Sequence, residues 1–271
     1  MKPRYTDKVV VITGASDGIG AELARQLASQ RPKLVLAARN ADALAKVAKQ
    51  CSVQGALVLC VPTDVSVEAD CAALARQAVE RFGGIDVLVA NAGVSGHAMF
   101  SEVSDFGWYE EMMRVNHFGT LWCVRHALPH LLARRGQIVG VSSLAGLFGV
   151  PGRTAYCASK FAMTGFLQAL RIELAPQGIG VTIAYPGVVA TQIRHRGFGP
   201  DGRPAGASGL DEGKAMSVET CANLILRAMS RRSRNCVMTA EGKLGLWLKQ
   251  LLPDLVDALA RRKLARTRRR G

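Results

Sequence analysis

The chain has 271 residues, 49% of them hydrophobic and 21% charged, and carries a formal net charge of +14. That is ample for a buried core, and the absence of any run of eighteen apolar residues excludes a transmembrane helix. The seven cysteines are scattered, odd in number and free of any Cys-x-x-Cys pair, which argues against a disulfide framework or zinc site and for reduced thiols in a cytoplasmic setting.

In chain order, the N-terminus shows no secretory signal: "KVVVITGA" (8–15) predicts a buried strand almost at once, and "GAELARQLASQ" (20–30) a helix. "KLVLAAR" (33–39) predicts a second strand and 41–51 a helix; "GALVLCVPTDV" (55–65) and "EADCAALARQAVERFG" (68–83) repeat the pair. "IDVLVANAG" (85–93) predicts a fourth strand, followed by a long helix through Trp108 to Leu132. A fifth strand over 136–146, a helix over 155–175 and a sixth strand over 180–187 complete the rhythm. Continuous apolar strands, each followed by a helix, imply an α/β fold: a parallel sheet covered on both faces, doubly wound. Ligands in such folds bind beyond the carboxyl ends of the strands. The Gly- and Pro-rich stretch 194–213 breaks the rhythm and reads either as a mobile lid or as an ordinary loop.

Chemistry collects at those strand ends. Gly14, Gly18 and Gly20 stand where the first strand turns into a helix, and glycines there let a pyrophosphate approach the helix N-terminus. The second strand ends in Ala38-Arg39 with no carboxylate, which favours the 2′-phosphate of NADP(H) over NAD(H); Asp17 in the glycine turn argues mildly the other way. Further along, strand ends bear Asp64-Val65, Asn91-Ala92-Gly93, Ser142-Ser143 and Pro186-Gly187, with Thr191 just beyond.

"TGASDGIG", "NAG", a Ser-Ser pair followed thirteen residues on by "YCASK", and "PGVVAT" together resemble the short-chain dehydrogenase/reductase family over about residues 6–235. The resemblance implies a single Rossmann-type domain, here 1–240, often dimeric or tetrameric. It implies Ser143, Tyr156 and Lys160 as catalytic residues, with Asn116 of "VNHFG" holding a water for proton relay. Cofactor contacts would fall on Gly14, Ser16, Gly18, Ile19, Gly20, Arg39, Asp64, Val65, Asn91, Ala92, Gly93, Tyr156, Lys160, Pro186, Gly187, Val189 and Thr191. Ala90 departs from the family's usual Asn at that position. The chemistry would be interconversion of a ketone or aldehyde and an alcohol, for which a phenol needs help: its pKa is near ~10, and an ammonium one helical turn away lowers it. The spacing of Tyr156 and Lys160 supplies that neighbour, and Ser143 would donate to the substrate oxygen.

Cys157 reads as a small buried residue beside Tyr156, and Trp108 with Met112 and Met113 as packing of the long helix or of an oligomer contact. His97 and His195 each follow a functional strand end and are candidates to line the substrate cleft. His126 and His130 are four apart, but no third ligand accompanies them and the resemblance needs no metal, so none is expected.

Residues 241–271 read as an amphipathic, basic extension. From Arg227 onward there are 13 Lys/Arg against 3 Asp/Glu, which carries +10 of the +14. Leu244, Trp247, Leu248, Leu251, Leu255 and Leu259 fall at helical spacing, interrupted by Pro253, and Arg261, Arg262, Lys263, Arg266, Arg268, Arg269 and Arg270 follow. The stripe suits either an anionic membrane surface or docking on the body or a sister subunit; nucleic acid is disfavoured for lack of an aromatic platform. The apolar run "LAGLFGV" (144–150) and this tail point to a lipophilic substrate. The rival functions are a cofactor-binding regulator and a membrane-recruited scaffold, neither turning anything over.

Overall fold

The computed structural model describes residues 4–206, 213 and 215–268. Seven parallel strands form one sheet: β1 (Val9–Thr13), β2 (Lys33–Ala38), β3 (Leu57–Pro62), β4 (Val87–Ala90), β5 (Gln137–Val141), β6 (Gly180–Tyr185) and β7 (Asn235–Val237), in the spatial order β3-β2-β1-β4-β5-β6-β7. The order reverses between β1 and β4, so the crevice at their carboxyl ends is the topological switch point.

Alternation along a strand explains why both faces are apolar. Val9 and Val11 of β1 enter one core with Leu74, Val124, Leu131 and Leu167, while Val10 and Ile12 enter the other with Leu23, Leu27, Leu44 and Ile225. The first core is roofed by α3 (Glu68–Phe82), α5 (Gly119–Ala133) and α6 (Thr154–Leu174); the second by α1 (Gly18–Ala28), α2 (Ala41–Val53) and α7 (Val218–Ser230).

The long helix expected through Trp108 is not uniform. It runs as α4 (Gly107–Met113), then a π-helical turn over Arg114–Phe118, then α5. The third strand is shorter than its apolar run, because Thr63 and Asp64 already turn toward α3 through local bonds from Thr63 Oγ1 to Val61 O and from Ser66 N to Asp64 Oδ1. Two elements are absent from the sequence reading: β7, which forms the sheet's far edge, and α7, which packs beside α1 over the second core. In the irregular stretch, Phe198 forms bridges to Gly96 and Pro204, so residues 194–206 are fastened to the body; residues 207–212 of the expected lid lie outside the described residues. The tail forms α8 (Ala240–Leu251) and α9 (Pro253–Arg268), with Pro253 as the first residue of the second helix, where its missing N–H costs nothing. Of its basic cluster, Arg269 and Arg270 lie outside the described residues, as do the side chains of Lys263, Arg266 and Arg268.

The opposite, N-terminal edge of the sheet is tied by one buried carboxylate. Asp86 accepts from Val9 N (2.9 Å), Lys8 Nζ (3.0 Å) and Arg134 NH1 (3.2 Å), joining the starts of β1 and β4 to the end of α5. Asp86→Ala leaves a buried amide and two cations without their acceptor, so it should lower unfolding free energy by ~2–4 kcal/mol in urea titration. Cofactor affinity, which depends on the other edge, should hold.

Candidate active site

The crevice is shaped by backbone that tolerates no side chain. Gly14 and Gly18 have φ of +65° and +53°, in the left-handed region; a Cβ on Gly14 would stand 2.8 Å from Ala92 Cα, and one on Gly20 would collide with the Gly14 carbonyl. Asp17 caps α1 by accepting from Gly18 N at 2.7 Å. Its other oxygen meets Arg196 NH1 at 3.0 Å, so the carboxylate that argued against a 2′-phosphate is already engaged. Thr191 packs against Gly18, which brings the segment after β6 over the turn.

Thr13, which the sequence reading did not single out, stitches the two central strand ends. Its Oγ1 accepts from Asn91 N and Ala92 N (3.0 Å each), while Asn91 Nδ2 donates to the carbonyls of Thr13 (2.9 Å) and Gly14 (3.2 Å). The Asn91 side chain therefore braces the glycine turn. Gly93 follows where a Cβ would stand 2.9 Å from Asn116 Oδ1. A dinucleotide fits this cradle: the turn, Ala92 and Gly93 line the switch-point crevice with bare backbone beside the N-terminus of α1. Arg39 is exposed directly after β2, and Asp64, Val65, Pro186, Gly187 and Val189 follow their strands as expected.

The reactive side chains converge from three elements. Ser143 follows β5 in an extended conformation; its Oγ accepts from Ala145 N at 3.2 Å, which leaves its proton to donate. Its neighbour Ser142 turns inward, to Thr164 Oγ1 (3.0 Å) and the Lys160 carbonyl (3.4 Å), so only one hydroxyl of the pair serves the cleft. Tyr156 and Lys160 share one face of α6, both buried. Lys160 Nζ donates to the Val141 carbonyl at 3.0 Å and lies 5.9 Å from the Tyr156 ring centroid. Burial pushes the Lys160 ammonium down to about 8. Burial also raises the Tyr156 phenol, opposed first by Arg153, then by a hydrogen bond with Ser143, then by Arg194. Arg153 was not singled out in the sequence; it is the residue before α6, in non-helical backbone, three positions before Tyr156.

Asn116 lies in the π-helical turn, fully buried. Its amide spans Val94 N (2.9 Å), Val94 O (3.0 Å) and Ser159 Oγ (2.9 Å), pinning the segment after β4 to α6. A water-holding role would fall to its main-chain carbonyl, which accepts from Thr120 Oγ1 and keeps a second lone pair.

Around Tyr156 the walls are apolar: Ala98, Trp108, Met112, Ala145, Ala155 and Cys157 form one cluster with Val94, Val150 and Phe198. Trp108 and Met112 thus pack the site itself. His97 is half-buried beside Gly152, and burial with the Arg153 charge lowers its pKa. His195 Nδ1 is 3.3 Å from the Gly206 carbonyl. His126 Nε2 lies 3.3 Å from Glu68 Oε1, and among the described residues no group of three or more His, Cys, Asp and Glu is placed to hold a metal ion. The seven cysteines are free thiols, with Cys71 and Cys123 in contact at 3.6 Å.

A family model described as short chain dehydrogenase matches residues 8–198. A protein named 11-beta-hydroxysteroid dehydrogenase-like 4A from Arabidopsis thaliana is 35% identical over 263 residues, covering 96% of this chain and 85% of its own. A short chain dehydrogenase/reductase from Burkholderia phymatum in complex with NAD superposes with a TM-score of 0.80 at 29% identity, over 93% of this chain and 95% of its own. An alcohol dehydrogenase from the archaeon Thermococcus sibiricus, complexed with 5-hydroxy-NADP, does so with a TM-score of 0.72 at 27% identity, over 85% and 95% respectively.

The Lys160 charge carries a stability cost with a definite pH window. Its pKa falls from the ordinary 10.5 to about 8 on folding. The unfolded chain then binds more protons between those values, so stability rises with pH across that window and the cost is constant below it. Lys160→Met should therefore be more stable than the parent by ~2–3 kcal/mol at pH 7, with the gain vanishing toward the ordinary lysine range. Thermal denaturation of both proteins across this range checks the sign.

Proposed function

The chain belongs to the short-chain dehydrogenase family and is an oxidoreductase of that kind; on that premise we propose that it interconverts a ketone or aldehyde and an alcohol with NADP(H) in preference to NAD(H), acting on a lipophilic substrate. The observation that carries this reading is the meeting of Tyr156, Ser143 and Lys160 beside the glycine cradle, inside an apolar wall. The dinucleotide, when bound, supplies or takes up the two reducing electrons. Gly14, Ser16, Gly18, Ile19 and Gly20 would hold its pyrophosphate, Arg39 its 2′-phosphate, Asp64, Val65 and Asn91–Gly93 its adenosine side and the crevice floor, and Pro186, Gly187, Val189 and Thr191 its nicotinamide side.

Each protein group then has a distinct task. Ser143 donates to the substrate oxygen and fixes it within reach of Tyr156. Tyr156 gives its phenolic proton to the oxygen on reduction and takes it back on oxidation. Lys160 orients the ribose and supplies charge at the inner end of the cleft. The cluster of Ala98, Trp108, Met112 and Phe198 excludes water and accepts hydrocarbon. The name of the hydroxysteroid dehydrogenase-like relative points toward the same class of bulky lipophilic alcohol.

A second reading concerns where the enzyme works, and two observations favour it. First, α8 docks on the body only by one side: Gly242 lies against Leu144, Gly245 against Phe148, and Lys249 Nζ donates to the Leu147 carbonyl at 2.8 Å. Second, the other side of α8 keeps Leu244, Trp247 and Leu251 exposed, and α9 keeps Leu255 and Leu259 exposed, with Arg261 and Arg262 beyond. Among the described residues no helix is long and apolar enough to cross a membrane. We propose peripheral contact with an anionic leaflet. A homo-oligomer is also proposed, through the groove of about 480 Å³ lined by Tyr109, Met113, Phe118 and Trp122 on the outer face of α4–α6.

NADPH consumption at 340 nm across sterol, retinoid, acyl ketone and quinone substrates tests the enzymatic reading. Turnover that falls by several orders of magnitude in Tyr156→Phe, with cofactor still bound, supports it; cofactor binding without any turnover would leave a regulator. Arg39→Ala should weaken NADPH by ~1.5–3 kcal/mol and leave NADH unchanged; equal loss for both removes the phosphate role. Co-sedimentation should show binding to anionic vesicles, weakened by salt and lost in a Trp247→Glu, Leu251→Glu double variant that keeps its activity.

A further inference from the structure

Arg153 stands at the entry to α6, buried within the site. Its NH1 donates to Ser95 Oγ at 3.1 Å, and its guanidinium carbon lies 5.5 Å from the centroid of the Tyr156 ring. Its Nε is buried without a hydrogen-bond partner, and among the described residues no carboxylate pairs with it. A buried guanidinium with no counter-anion is a costly way to fasten a loop. A neutral amide could meet Ser95 equally well.

We propose that Arg153 is a positioning residue for Tyr156: its permanent charge over the ring stabilises the phenolate and so sets the pH range in which the tyrosine exchanges its proton. The proposal rests on Tyr156 being the acid and base. A cation above a neutral phenol meets only the ring's quadrupole, whereas above a phenolate it meets a full negative charge, so it favours ionisation.

Lys160 acts beside it: its Nζ lies 5.9 Å from the same ring centroid and donates to the Val141 carbonyl at 3.0 Å. Burial lowers both cations, the ammonium to about 8 and the Arg153 guanidinium from a far higher ordinary value, so Arg153 keeps its charge to higher pH. The other groups facing Tyr156 do not replace it. Cys157, on α6, opposes the phenolate, and Ser143, after β5, contributes a hydrogen bond. Arg194, after β6, donates to the Val189 carbonyl at 3.0 Å and acts more weakly than Arg153. From the segment after β4 come Ser95 and His97, whose pKa burial and Arg153 lower and Glu102 raises; α4 offers Trp108 and Met112, which do not titrate, and Tyr109, whose hydroxyl is hydrogen-bonded to Thr154 Oγ1 at 2.6 Å.

The test is a tyrosinate titration at 295 nm, which needs neither substrate nor turnover. The chain has four tyrosines, so the difference between each protein and the same protein carrying Tyr156→Phe isolates one phenol. Removing the cation must raise the pKa and move the midpoint to higher pH. Arg153→Met is expected to move it up by about 1–2 pH units, a ten- to hundredfold weaker ionisation, with Arg153→Lys falling between. Arg153→Gln, which keeps an amide for Ser95, should match Arg153→Met and replaces it should that variant not fold. A midpoint unchanged in the folded neutral variant, or one raised as far in Arg153→Lys as in the neutral variant, overturns the proposal. Because no turnover is involved, that failure would be distinct from active Tyr156→Phe, which would overturn the catalytic reading itself.

Discussion

The contact between Thr13 and Asn91 holds together everything the site requires. A parallel sheet opens at its switch point, because consecutive crossovers leave β1 and β4 in opposite directions. Backbone groups at that opening have no further strand to pair with. Thr13 Oγ1 and the Asn91 amide supply the missing partners, two bonds in each sense, and so allow Gly14 and Ala92 to approach to near contact. The glycine turn, the N-terminus of α1 and Gly93 all take their places from that closure. Gly93 in turn abuts Asn116 and Lys160, so the cofactor cradle and the reactive helix share one wall.

The two edges of the sheet divide the work. At the N-terminal edge a buried carboxylate meets an amide and two cations that reach in from the surface, an arrangement that satisfies its charge and holds strands. At the carboxyl edge Lys160 and Arg153 are buried with far less compensation. Unbalanced burial of that kind is unfavourable to folding and useful for moving protons, since both follow from the low local dielectric. The large apolar cores on either face of the sheet make this imbalance tolerable.

The strands were legible because doubly buried strands read as unbroken apolar runs, and the glycine turn because no other residue suits its backbone. The choice of Ser143 over Ser142 came only from the resemblance; the reason is tertiary, since Ser142 is turned away by Thr164. Arg153 was missed because an arginine before a helix ordinarily faces water, and only the packing of Ser95 and Tyr156 buries it. The strand over Asn235–Val237 is three residues long, too short for periodicity to register. For the tail, the apolar stripe and the break at Pro253 were readable, but not which side of α8 would meet Leu144 and Phe148, because Gly242 and Gly245 admit that approach by lacking side chains.

The π-helical turn over Arg114–Phe118 amounts to one extra residue in an otherwise continuous rod. A π turn absorbs that residue without the usual advance of about 100° about the axis. Trp108 and Met112 before the turn and Val124 and Leu131 after it therefore fall near one line along the rod, the first pair against the tyrosine and the second against the core on the sheet. Asn116 sits at the phase slip, where a helix has the slack to turn an amide across to a neighbouring segment. Loss of a single residue within the turn would rotate the two halves out of step by about 100°. Such a deletion would keep the helix whole and misalign the two surfaces it serves, so the length of this segment is as much part of the site as any side chain in it.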